Sequence, residues 1–149
     1  MTTWIQNDGG REAAGFKGHT GDCVTRAVAI ASGRPYREVY DRLAEIHAAY
    51  RGRRVRKSAR GQRTARAGIP TQSKAFKAYM AELGFVWVPT MTIGSGCKVH
   101  LRADELPNGK LVAMLSRHAC AIINGVIHDT YDPAREGSRC VYGYYQIQS

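Results

Sequence analysis

The sequence predicts an α+β domain, with N-terminal helices packed on a C-terminal antiparallel sheet. Three observations carry this. Up to Leu83, apolar residues recur at helical spacing. After Gly84 the apolar runs shorten to four to eight residues and become β-prone. Between two of those runs stands Asn124-Gly125, the strongest two-residue hairpin signal in the chain.

Residues 1–19 are Gly-rich, show neither a helical nor a strand period, and read as loop. Cys23 to Ser32 follows Thr20-Gly21-Asp22 and is Ala-rich and apolar on most sides. That pattern predicts a short buried helix, with Thr20 or Asp22 as N-cap and Gly33 as its stop. Pro35 suits the first position of a second helix, whose apolar stripe is Val39, Tyr40, Leu43, Ile46, His47 and Tyr50. A third helix is expected from Thr71 to Leu83, with Phe76, Tyr79, Met80 and Leu83 on its buried face and Gly84 at its end. Six β-prone runs come next: Phe85–Val88, Cys97–Leu101, Leu111–Leu115, His118–Ile123, Val126–Tyr131 and Cys140–Ile147. Tyr142, Tyr144 and Tyr145 in the last run read as sheet packing with one exposed face.

The chain has 149 residues, which fits a single domain spanning 1–149. A chain of this size buries roughly 70% of its unfolded surface, so its core needs no covalent staple. No apolar run approaches the ~20 residues of a membrane span, and no signal-peptide core is present. The expectation is a protein that meets no membrane and stays in the cytoplasm of a bacterium or an infected host cell. The four cysteines, Cys23, Cys97, Cys120 and Cys140, are scattered and lack a Cys-x-x-Cys pair, which reads as free thiols rather than a disulfide framework.

The net charge of +10 is concentrated in one place. Eight basic residues and no acid lie between 51 and 66: Arg51, Arg53, Arg54, Arg56, Lys57, Arg60, Arg63 and Arg66. The remainder holds 14 basic and 12 acidic residues, so the body of the protein is nearly neutral. Segment 51–68 reads as a basic loop or arm inserted in the fold. Its charge density suits an acidic protein or the phosphates of a nucleic acid, but no aromatic is interleaved to stack on bases.

Two residues carry the chemistry. Cys23 opens a buried helix, where the first-turn N–H groups favour a thiolate. His118 opens the strand that leads to Asn124-Gly125. A two-residue turn sets Ile123 opposite Val126, Ala121 opposite His128, and Cys120 opposite Asp129. His118, Cys120, Asp129 and Tyr131 then share a face, with Asp129 diagonal to His118 and within side-chain reach. An Asp orienting a His is half of a nucleophile–base–orienter triad. Asp132 is the alternative orienter and needs a bulge to reach the same face.

The stretches Thr20-Gly21-Asp22-Cys23-Val24-Thr25-Arg26-Ala27 and His118-Ala119-Cys120-Ala121-Ile122-Ile123-Asn124-Gly125-Val126-Ile127-His128-Asp129-Thr130 resemble the papain-like cysteine peptidase superfamily. There a Cys opens a buried helix, a His starts a strand, and an Asn or Asp follows on the next strand. The chain is similar in particular to small members from phages and prophages. The resemblance implies a cysteine peptidase or amidase with Cys23 as nucleophile, His118 as base and Asp129 as orienter, forming a thioester on a peptide or isopeptide substrate without a cofactor. The superfamily carries a Gln a few residues before the Cys, which donates to the oxyanion. Here Lys17 stands six residues before Cys23 and no Gln intervenes. His19, Lys17, Gln6 and Asn7 are the substitutes on offer beside the Cys23 N–H, and one lost donor typically costs ~100- to 1000-fold in rate.

Two other functions fit the same residues. One is an inactive papain-like protein that docks an acidic partner or nucleic acid through its arm. The other is a peptidoglycan amidase, whose basic surface meets an anionic wall. A zinc site from Cys97, His100, His118 and Cys120 lacks the usual close pairs, and no metal is expected. Gly9-Gly10 is read as loop, and the oligomeric state is not legible.

Overall fold

The computed structural model describes residues 3–15, 22–50, 69, 71–91, 96–116, 118–134 and 137–147. The basic segment 51–68, Lys17 and His19 lie outside the described residues. Three helices are present among them: α1 (Cys23–Ser32), α2 (Tyr36–Ala49) and α3 (Lys74–Glu82). Eight strands are also described, in chain order: β1 (Thr3–Gln6), β2 (Phe85–Pro89), β3 (Val99–His100), β4 (Lys110–Leu115), β5 (His118–Ile123), β6 (Val126–Asp129), β7 (Cys140–Val141) and β8 (Gly143–Ile147). The class is α+β.

Local chemistry explains the helix ends. Gly33 takes the left-handed conformation (φ 73°) and its N–H closes on the Ala29 carbonyl, so α1 stops there. Ser73 caps α3 by accepting from the Phe76 N–H at 3.1 Å, so this helix starts at Lys74 rather than Thr71. Asp22 occupies the N-cap position of α1, yet its side chain makes no cap hydrogen bond.

Six strands form one mixed sheet in the order β1-β6-β5-β4-β8-β2, and β3 pairs with β7 separately. The expected antiparallel sheet is corrected at one edge. Residues 3–6, read as loop, form β1 and run parallel to β6. All four residues of β1 are exposed, so no alternation of burial marks it in the sequence. The run Cys140–Ile147 is two strands: β7 joins β3, and β8 runs between β4 and β2. The Tyr142 N–H goes to the Met114 carbonyl at the break between them.

The β5–β6 hairpin turns on Asn124 (φ 49°) and Gly125 (φ 80°), the two positive φ values of a type I′ turn. Its register pairs Ile123 with Val126 and Ala121 with His128, as the two-residue turn requires. Two apolar clusters flank the sheet. One joins Ala27, Val28, Val39, Leu43, Phe76 and Met80 of the helices to Val112, Ala121 and Tyr145. The other joins Leu101, Leu106, Ala134 and Val141 to Leu111, Ile122 and Ile127.

The cysteine reading is corrected in part. Cys97 and Cys140 form a disulfide, whereas Cys23 and Cys120 are free. Pairing of His100 with Cys140 in the β3–β7 ladder brings the two together across a separation of 43 residues. Among the described residues, no helix is long and apolar enough to cross a membrane.

Candidate active site

The site lies where the first turn of α1 meets the start of β5 and the end of β6. Cys23 is the first residue of α1 and is half-buried. Its side chain hydrogen-bonds with His118, the first residue of β5, and it also engages the Ala119 backbone. His118 Nε2 donates to Asp129 Oδ2 at 2.6 Å. The Tyr131 hydroxyl stands 3.4 Å from the other ring nitrogen, Nδ1. The Tyr131 ring tilts against the imidazole at 5.2 Å between centroids, and its residue is 48% exposed.

Asp129 is held from all sides. Its backbone carbonyl accepts the Asn7 N–H at 2.9 Å and Trp4 Nε1 at 3.2 Å, both from the β1 side. Its Oδ1 accepts the Thr130 N–H at 2.7 Å, and Arg26 Nη2 lies 3.4 Å away. Asp132 does not approach His118. Its carboxylate accepts the Ala134 N–H at 3.0 Å and closes a turn, so the alternative orienter is set aside.

Electrostatics follow from these contacts. Burial opposes the Cys23 thiolate. The His118 hydrogen bond and charge, the Ala119 backbone and Arg26 outweigh it, and the pKa falls below the ordinary thiol value. Burial also opposes the His118 imidazolium, but Asp129 and Cys23 together raise its pKa. Both shifts run toward the charged forms of the two groups. Cys120, one strand step from the site, is fully buried, and burial pushes its thiol strongly upward. It is a packing residue, not a second nucleophile.

Behind Cys23, His118 and Asp129 lies a buried ionic chain that the sequence reading missed. Asp22 Oδ2 takes Arg11 Nη1 at 3.2 Å and the Tyr36 hydroxyl at 2.5 Å, while Oδ1 takes Arg26 Nη1. Arg26 then reaches Asp129. Its signal was present: an Arg in an apolar helix, three residues past Cys23, has to be paired if the helix is buried.

The oxyanion candidates separate. Asn7 is committed to local structure, its Oδ1 accepting the Gly9 N–H at 2.8 Å and its Nδ2 meeting His128 Nδ1 at 3.2 Å. Gln6 pairs with Asp129 at the end of β1 and is exposed. The zinc constellation is not assembled: Cys97 is in the disulfide, and His100 Nδ1 is 3.1 Å from Glu105. No group of three or more His, Cys, Asp or Glu among the described residues is placed to hold a metal.

Searches for similar proteins give no matching family model, curated protein or solved structure.

Proposed function

We propose that this chain is a cysteine hydrolase, a peptidase or amidase of papain-like fold acting on a peptide or isopeptide bond. One observation carries the reading: Cys23 at a helix N-terminus is hydrogen-bonded to His118, whose other nitrogen donates to a buried Asp129 at 2.6 Å. Two pKa shifts in opposite directions on adjacent groups are the arrangement nucleophilic catalysis needs.

In the reaction, the Cys23 thiolate attacks the carbonyl carbon and a C–S bond forms. The carbonyl π electrons move to oxygen, which faces the first-turn amides of α1, beginning with the Cys23 N–H. His118 passes its Nδ1 proton to the leaving nitrogen, the C–N bond breaks, and a thioester remains. Water then attacks the thioester as His118 takes its proton. The C–S bond breaks, Cys23 leaves as the thiolate beside the protonated His118 so that the ion pair is back, and the carboxylic acid product gives its proton to solvent. Asp129 holds the ring orientation throughout and balances its charge.

The test is the pH profile of iodoacetamide labelling at Cys23, located by mass spectrometry. An ordinary thiol titrates near ~8.5. Fast labelling down to about pH 5, lost in His118→Ala, is the expected result. An ordinary thiol profile in both proteins would refute the reading.

The segregation of eight basic residues between 51 and 66 favours a second property, docking of an acidic protein or nucleic acid. Binding that survives Cys23→Ala, fades with salt and is lost when the basic residues between 51 and 66 are neutralised would assign it to the arm. A cytoplasmic location fits Cys23 as a reduced thiol. The Cys97–Cys140 disulfide instead favours an oxidising compartment, so trapping free thiols in intact cells decides between them.

A further inference from the structure

A buried ionic chain, Arg11–Asp22–Arg26–Asp129, backs the site. Arg26 is 7% exposed, Asp22 1% and Asp129 3%, so these charges interact with little help from water. Arg26 lies three residues after Cys23 on α1, and its two terminal nitrogens face carboxylates on different segments. Nη1 meets Asp22, just before the helix, and Nη2 meets Asp129, at the end of β6. One rigid fork therefore ties the nucleophile's helix to the orienter's strand.

Among the described residues of this chain the charges alternate and balance. Cys23 as thiolate, Asp129 and Asp22 supply three negative charges. His118 as imidazolium, Arg26 and Arg11 supply three positive ones. Among the described residues, Tyr36 from α2, Tyr131 after β6 and Cys120 on β5 also face this chain, and Arg139 and Asp132 act electrostatically on Cys120.

Building on the hydrolase reading, we infer that Arg26 is a positioning residue: its charge on the far oxygen of Asp129 sets the pH window in which the Cys23–His118 ion pair exists. The sign follows from Coulomb's law. Without Arg26, Asp129 is less neutralised and holds the His118 proton more firmly. Cys23 meanwhile loses a nearby positive charge and feels more of Asp129, so its thiolate is harder to form. Both titrations move to higher pH. A merely structural role predicts something else. If Arg26 only clamps α1 to β6, its loss loosens the ion pair, and Cys23 moves up while His118 moves down toward its ordinary value.

The experiment uses the full chain. Iodoacetamide labelling gives the Cys23 midpoint, and the NMR titration of the His118 ring gives the other. In Arg26→Gln both midpoints are expected to rise, by about one unit, which slows labelling at pH 5 several-fold. Arg26→Lys keeps the charge and should bring both midpoints back toward wild type. If Arg26→Gln does not fold, Arg26→Gln with Asp22→Asn removes the opposite charges together, and both midpoints are still expected to rise, by less. Unchanged midpoints, movement of one group alone, or movement in opposite directions would each overturn the inference. The hydrolase reading fails separately, by an ordinary thiol profile in the wild-type protein.

Discussion

At the residue scale, geometry sets which carboxylate partners His118. Asp129 meets the imidazole at 2.6 Å, whereas Asp132 turns back to its own loop. Replacing Asp129 with Asn keeps the shape and removes the counter-charge. The NMR titration of His118 should then move down by about one unit or more, because the imidazolium loses its closest anion. Asp132→Asn should leave that titration where it is. A shift in Asp132→Asn but not in Asp129→Asn would exchange their roles. His118 and Asp129 were legible from sequence because strand parity and a two-residue turn fix which side chains meet. Arg26 and Asp22 were not singled out, because their partners come from three separate segments.

Elements differ in how far local sequence specifies them. The α3 start rests on a single cap: Ser73 accepts the Phe76 N–H, and no acidic residue stands in the first turn to help. Ser73→Ala should cost about 1 kcal/mol, read as a lower urea midpoint with an unchanged slope. No loss of stability would mean that packing of Phe76, Tyr79 and Met80 holds the helix without its cap. Strand β1 is the opposite case. Its exposed Thr3-Trp4-Ile5-Gln6 has β-prone residues but no buried face, so its existence depends on β6 lying alongside. That pairing also serves the site, since the Asn7 N–H and Trp4 Nε1 fix the Asp129 carbonyl.

On the scale of the whole molecule, the ion pair should shape stability against pH. Cys23 has a depressed pKa in the fold, so its contribution is present above the unfolded thiol value and is lost as pH falls through the folded one. His118 has a raised pKa, so its contribution is present below the unfolded imidazole value and is lost as pH rises through the folded one. Between about pH 6.5 and 8.5 the two dependences oppose each other. The difference in unfolding free energy between wild type and a Cys23→Ala, His118→Ala double variant should therefore be level across that window. It should fall on both sides. Urea titrations at five or six pH values check this, and a difference that climbs or falls steadily through that window would show that only one of the two groups is shifted in the fold.

The sequence by itself determined the helix-then-strand order, the hairpin register, and the placement of Cys23 and His118 at the starts of their elements. Each is set by neighbours within a few residues: periodicity, a cap, a turn that demands positive φ. Tertiary structure alone decided the parallel edge strand, the Cys97–Cys140 disulfide, the hold of Trp4 on the Asp129 carbonyl, and the ionic chain through Arg26. Those depend on groups 43, 103 and 125 residues apart, for Cys97 with Cys140, Arg26 with Asp129 and Trp4 with Asp129. No local pattern encodes such pairs, because what selects them is the cost of leaving a charge or a backbone group buried without a partner.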